Sequence, residues 1–348
     1  MSDRVLMTGN DAIGEGAIRA RCDCYFGYPI TPQNELTAYM AQHMPALGRV
    51  FIQAESELAA ISMVFGAAVA GKRAMTSSSS PGISLKQEGL SYLAACELPA
   101  VVANVQRGGP GLGNIAAAQG DYFQATRGGG HGDYSMPVLA PDSVQEMHDL
   151  AIRAFDLADT YRTPVMLLTD GRLGQMMEPL VLRDGPFAPL PAKPWALTGA
   201  EGRPPQNIRS LLLGDGELEQ HNLKLQAKYR QIAAAEVRAE ERATDNCDVL
   251  LVAYGTSARM SKGALAMARG LGLRVGLLRP ITLWPFPSLR LAELAGRVRR
   301  IVVVEMSSGQ MLQDVRLAVE GRTEVRFVGR MGGGVPSEQE IVEAIHAG

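Results

Sequence analysis

The sequence predicts an α/β chain built as two units joined by a proline-rich segment, and three observations carry that expectation. Strand-like runs alternate with helix-periodic runs through residues 1–180 and again through residues 246–348. Runs such as Ala100–Val105 are apolar without interruption, as in parallel strands covered on both faces. Residues 181–245 break the pattern with a Pro-rich linker and one charged helix.

Val5–Gly9 reads as the first short strand, followed by a helix over NDAIGEGAIRA. Tyr25–Pro29 is strand-like and ends in the turn Pro29-Ile30-Thr31-Pro32. Leu36, Tyr39, Met40 and Met44 recur at helical spacing, so Pro32–Met44 is expected to be a helix. Arg49–Gln53 is a strand. Glu55–Ala70 is apolar all round, as a fully buried helix would be. Ala74–Ser77 feeds the turn SSSSPG, and Pro137–Leu139 and Pro164–Leu168 are further strands around a helix at Val144–Leu157.

Glu178–Arg209 holds seven prolines and little periodicity, so a surface-wrapped linker is expected. Glu217–Arg242 is expected to be a helix, with Leu218, Leu225, Tyr229, Ile232 and Val237 as its apolar stripe and its charges in solvent. The second unit then runs strand (Asp248–Ala253), helix (GTSARMSKGALAMARG) and strand (Arg274–Leu278). A Pro-rich loop (RPITLWPFP) and a helix at Leu289–Ala295 follow, then a strand at Ile301–Glu305 and a helix over MSSGQMLQDVRLAVE. Strand Glu324–Val328 and helix Ser337–Ala347 close the sequence.

Composition excludes several classes. Thirty-four Lys and Arg oppose 36 Asp and Glu, so no broad basic face for nucleic acid is expected. Cys22, Cys24, Cys96 and Cys247 have neither disulfide-scaffold nor cluster spacing, which points to a reducing compartment. MSDRVLMTGNDAIG lacks the order of a targeting segment, and the 14 residues Leu58–Gly71 are short for a membrane span. A soluble, cytoplasmic protein without membrane or nucleic-acid partners is the expectation.

Four polar clusters follow predicted strands, where open parallel sheets bind ligands. In GYPITP, Thr31 reads either as a helix N-cap or as a ligand-facing hydroxyl held by a stiff turn. In QAESE, Glu57 enters an apolar segment with no Lys or Arg nearby in sequence. It reads either as a first-turn helix charge or as a buried acid with a catalytic task. The serines of Thr76–Ser80, Ser79 among them, open the next segment and are either an anion-accepting turn or a plain polar loop. Arg107, two residues beyond a strand and beside GGPGLGN, is either a carboxylate ligand or a solvated loop residue. Gly109, Gly111 and Gly113 do not have dinucleotide-fold spacing, which excludes a nicotinamide or flavin site there. His131, alone in GGGHGD, is expected to be structural.

GYPITP, QAESE, SSSSPGISLKQEG, RGGPGLGN, GDYFQAT and LWPFP, in this order, resemble the alpha subunit of 2-oxoacid:ferredoxin oxidoreductases over essentially the whole chain. The resemblance implies a pyrimidine-type thiamine diphosphate-binding fold over residues 1–180 and a transketolase C-terminal-like α/β domain over 246–348. It implies oxidative decarboxylation of a branched-chain 2-oxoacid, 3-methyl-2-oxobutanoate, with coenzyme A as co-substrate and ferredoxin as acceptor. Glu57, directly before the small-residue helix, matches the glutamate that bonds the cofactor's aminopyrimidine and favours its imino tautomer. Pro29 and Ser79 fall at cofactor-facing positions, and Thr31 and Arg107 at positions holding the substrate's 2-oxo and carboxylate groups.

The chain lacks a convincing magnesium–diphosphate motif. Gly214-Asp215-Gly216 has Asn222 too close and Asn246 beyond a charged helix, and Thr169-Asp170-Gly171 is incomplete. No cysteine set for a cluster exists. The resemblance therefore implies that thiamine diphosphate is shared with a diphosphate-binding beta subunit. Mg2+ and iron–sulfur clusters would lie on partner chains, with gamma and ferredoxin-like delta subunits completing the complex. The same chemistry on 2-oxoglutarate or pyruvate stays open, with Arg127 as a candidate for a second carboxylate. So do a non-catalytic scaffold and a transketolase-like enzyme, the latter leaving RGGPGLGN unexplained.

Overall fold

A computed structural model describes residues 4–183 and 189–346. The first unit begins with β1 (Arg4–Thr8), α1 (Gly9–Arg19), β2 (Cys24–Gly27), α2 (Asn34–Ala46), β3 (Val50–Gln53) and α3 (Glu57–Val69). It continues through β4 (Ala74–Ser78), α4 (Ser80–Ala95), β5 (Ala100–Gln106), α5 (Tyr122–Thr126) and β6 (Val138–Leu139). α6 (Val144–Tyr161), β7 (Pro164–Asp170), α7 (Gly171–Gln175) and β8 (Met177–Val181) complete it. α8 (Glu217–Ala235) then packs on Ala94 and Tyr134 of the first unit, and the second unit comprises β9 (Ala239–Arg242), β10 (Val249–Ala253), α9 (Gly255–Gly270), β11 (Val275–Pro280) and β12 (Thr282–Trp284). α10 (Ser288–Ala295), β13 (Arg300–Glu305), α11 (Met311–Val319), β14 (Glu324–Gly329) and α12 (Glu338–His346) follow.

The main sheet has seven strands in the order β12-β6-β7-β5-β4-β2-β3. β3, β2, β4, β5, β7 and β6 are mutually parallel, and all but the edge strand β3 are buried because helices cover both faces. α1, α2 and α6 pack on one face around Ile13, Met40 and Phe155. α3 and α4 cover the other face, in a core that runs on without a break into the second unit through Tyr122, Tyr254 and Leu278. Gln106 of β5 stands opposite Asp170 of β7, and Ser78 of β4 opposite Asn104 of β5. Every turn singled out in the sequence thus leaves the same edge of this sheet. The second sheet, β14-β13-β10-β11-β9, is parallel except for β9. Among the described residues, no helix is long and apolar enough to cross a membrane.

The structure corrects several expectations. Helix α8 stops at Ala235, and Ala239–Arg242 is a strand antiparallel to β11. The run AEER carries helix-forming residues, but pairing with β11 and ion pairs to Lys262, Arg279 and Arg290 override that propensity. The α8 stripe reduces to Leu225, Tyr229 and Ile232, with Leu218 and Val237 exposed. Its charges are not all in solvent, since Lys224 and Lys228 pair with Glu97. The loop RPITLWPFP contains β12, which joins the first unit's sheet antiparallel to β6. The linker opens with β8, which pairs with β1 apart from the main sheet. Helix α3 is buried on one side only, with Leu58 49% exposed on the other. The terminal helix is described as far as His346, and Ala347 lies outside the described residues.

Candidate active site

The turn after β2 is held from two sides. Asn10 Nδ2 donates to the Pro32 carbonyl at 2.8 Å, and the fully buried Gln33 accepts a 2.5 Å bond from Ser77 of β4. Helix α2 starts at Asn34 with Gln33 at its cap position, so Thr31 is not the N-cap. Thr31 sits on the loop with its hydroxyl 3.3 Å from Asn34 Nδ2, and Pro29 is exposed beside it. The Thr31 hydroxyl accepts only this one long bond and keeps its own O–H to donate, which is what the ligand-facing alternative needs.

Arg107 reaches this turn. Its Nη1 donates to the Thr31 carbonyl and its Nη2 to the Leu112 carbonyl, both at 3.0 Å. Its Nε is buried without a partner. A guanidinium held by two carbonyls, with three of its five N–H groups still to place, is prepared for an anion.

Glu57 is the first residue of α3 and is 5% exposed, whereas Glu55 is exposed. Ser56 caps the helix by accepting the Ala59 amide at 3.1 Å. The Glu57 side chain lies against the first turn of α4. A methyl group on Gly82 would overlap both Ser78 Oγ and Glu57 Oε1, so glycine here leaves these two side chains their places. The hydroxyls of Ser78 and Ser79 are buried without partners, and Ser79 occupies the N-cap of α4 without making the capping bond. Buried polar groups are nearly always paired, so this cluster has the character of a ligand-binding wall.

Two features escaped the sequence. Asp121 accepts from Ser80 Oγ at 2.6 Å and from Asn104 Nδ2 at 2.9 Å, while Ser80 Oγ receives the Arg107 amide at 3.1 Å. Burial pushes the Asp121 carboxyl up, and these two donors oppose the shift. Lys86, one turn beyond Gly82, is fully buried. GDYFQAT and SLKQEG contain both residues, but neither word shows which strand or helix its charge will face.

Other candidates fall outside this cluster. Arg127 pairs with Asp314 at 2.7 Å and lies 5.1 Å over the Phe123 ring. His131 is exposed, with its carbonyl bonded by Ser91. Asp170 is buried and caps α7, and it accepts a 2.9 Å bond from Thr256. Asp215 is exposed ahead of α8. A cleft of about 730 Å³ at the junction of the units is lined by Arg279, Lys262, Asp142, Glu146 and Glu240, which are paired with one another.

Residues 15–242 match the family model for pyruvate flavodoxin/ferredoxin oxidoreductase, thiamine diphosphate-binding, and residues 247–341 match core domain II of pyruvate:ferredoxin oxidoreductase. The chain belongs to the 2-oxoacid:ferredoxin oxidoreductase family. It corresponds to the alpha-type subunit of these oxidoreductases. Ketoisovalerate oxidoreductase subunit VorB of Methanothermobacter thermautotrophicus is 52% identical, over 98% of this chain and 96% of that one. The 2-oxoglutarate:ferredoxin oxidoreductase of Magnetococcus marinus, solved with 2-oxoglutarate, coenzyme A and succinyl-CoA, superposes with a TM-score of 0.90 at 27% identity. It aligns with 99% of this chain, which spans 65% of that one. A split-gene transketolase shares the fold alone, with a TM-score of 0.61 at 14% identity over 97% of each chain.

The α/β class, with a thiamine diphosphate-type first unit and a transketolase-like second, is the fold of this family. In an alpha-type subunit of the family, the orphaned serines and the Glu57 carboxylate fit an aminopyrimidine that both donates and accepts hydrogen bonds.

Proposed function

We propose that this chain is the alpha subunit of a thiamine diphosphate-dependent oxidoreductase that converts 3-methyl-2-oxobutanoate and coenzyme A to acyl-CoA and CO2. Ferredoxin takes the electrons. One observation carries the reading: Glu57, Arg107, Thr31 and unpartnered serine hydroxyls converge on the start of α4.

Thiamine diphosphate supplies the nucleophilic carbon and the electron sink. Glu57 hydrogen-bonds the aminopyrimidine, and Ser79 and Pro29 line the cofactor's place. Arg107 binds the substrate carboxylate through the N–H groups its two carbonyl bonds leave over, and Thr31 holds the 2-oxo oxygen. Helices α3 and α4 keep water from this wall on one side. The diphosphate and Mg2+ belong on a beta subunit. Iron–sulfur clusters belong on partner chains, with gamma and ferredoxin-like delta subunits completing a cytoplasmic complex. The 52% identity to a ketoisovalerate oxidoreductase subunit supports the branched-chain substrate. So does Arg127, whose pairing with Asp314 withdraws it from a second substrate carboxylate.

The test is coenzyme A-dependent reduction of ferredoxin or a viologen dye by the co-purified complex, across a panel of 2-oxoacids. Activity on 3-methyl-2-oxobutanoate that is lost in Glu57→Ala and Arg107→Ala supports the reading. Preference for 2-oxoglutarate or pyruvate moves the substrate. Inactivity of a complete, cofactor-loaded complex leaves a scaffold.

A further inference from the structure

Lys86 is a buried cation that the reaction above does not use. It lies on α4 one helical turn after Gly82, on the side facing α3, and is wholly removed from solvent. Its Nζ donates to Thr76 Oγ1 at 3.1 Å and to the backbone carbonyl of Glu57 at 3.4 Å. No carboxylate forms an ion pair with it among the described residues. Burial pushes its ammonium down to about 8, and the charge of Glu57 is what opposes the shift. A lysine placed this way costs the fold stability, and such costs are retained at functional sites.

We propose that Lys86 is a positioning residue for Glu57. Its ammonium anchors the carbonyl of the first α3 residue from beneath. It also supplies the positive charge that accompanies the carboxylate in a dry pocket. The carboxylate projects from the same residue whose backbone the lysine holds, so anchor and charge act on one group. Met or Leu would fill this space more cheaply, and neither would do this. The proposal rests on the thiamine diphosphate reading of the site.

The test uses the complete multi-subunit complex, depleted of cofactor, and titrates thiamine diphosphate with Mg2+ by calorimetry. Lys86→Met is expected to raise the melting temperature of the cofactor-free complex and to weaken thiamine diphosphate binding at least tenfold. A merely structural lysine would give the opposite melting shift and leave affinity unchanged. Lys86→Gln keeps a donor to Thr76 without the charge and is expected to bind as weakly as Lys86→Met. Lys86→Arg, which keeps the charge, is expected to recover part of the affinity. In a Glu57→Gln background, removing Lys86 is expected to cost less affinity than in the wild type, because the carboxylate its charge accompanies is gone while the backbone anchor stays.

Wild-type affinity in Lys86→Gln and Lys86→Met overturns the proposal and leaves the functional reading standing. A wild-type complex that takes up no thiamine diphosphate overturns both.

Discussion

Ser80 donates a 2.6 Å hydrogen bond to Asp121, and through that bond the start of helix α4 is tied to the second unit. The same hydroxyl receives the Arg107 amide. The segment carrying Asp121 is clamped on its other side. The Gln119 amide donates to the Met306 carbonyl, its Oε1 accepts from the Met306 amide and from Ser257 Oγ at 2.7 Å, and Tyr122 donates to Asp314 at 2.6 Å. The second unit is thereby a backing plate for the arginine.

Asp121→Ala removes the acceptor that orients Ser80 and Asn104. A hydrogen bond to a charged group contributes about 1.5–3 kcal/mol, so kcat/KM for the 2-oxoacid is expected to fall about 10- to 100-fold, mostly through KM. Thiamine diphosphate affinity is expected to hold. Steady-state rates with saturating cofactor measure this, and an unchanged KM would refute it.

Gly82→Ala places a methyl group where Ser78 Oγ and Glu57 Oε1 now lie. The residue is in the first turn of α4, where alanine is a good helix former, so the melting temperature should change little. Glu57 must swing aside. Thiamine diphosphate titration of the complex should show weakened binding. Wild-type affinity would mean that Glu57 has room the structure does not reveal.

Arg107→Lys keeps the charge and loses the fork. A lysine cannot bond the Thr31 and Leu112 carbonyls and also offer a third N–H from a fixed plane. Its KM for the 2-oxoacid should resemble that of Arg107→Ala more than that of the wild type. Full rescue by lysine would show that charge alone suffices.

The junction of the units carries its own acid dependence. Burial raises the Glu240 carboxyl, but Lys262, Arg242 and Arg279 outweigh it and bring the group down to about 2. A carboxyl lowered on folding stabilises the fold above its unfolded value of 4.5, and the contribution drains away as pH falls toward 2. Glu240→Gln should therefore melt below the wild type at neutral pH. The gap should narrow steadily from pH 4.5 downward. A constant gap in thermal melts across that range would contradict this.

Most of the first unit was legible because its strands are apolar and its turns carry unusual words. Glu57, Thr31, Ser79 and Arg107 were singled out because each follows a strand, and parallel strands share an edge. Asp121 and Lys86 were not assigned, since the bonds of Asp121 to Ser80 and of Lys86 to Glu57 span 41 and 29 residues and no local period marks those pairings. β9 and β12 were missed for a related reason. AEER and TLW have too few apolar residues to announce strands, and only β11 and β6 make them so. Of the two readings of Thr31, the start of α2 at Asn34 removes the N-cap.

β12 has a consequence for dissecting the molecule. Val138 and Leu139 of β6 are fully buried, and the neighbour on their outer side comes from residues 282–284. A fragment ending before the second unit would expose this pair as a bare sheet margin, hydrophobic and ready to template another strand. The two units are therefore stitched rather than merely docked. Such a fragment should self-associate, and a cut in the 189–209 segment that leaves both pieces present should leave the seam closed.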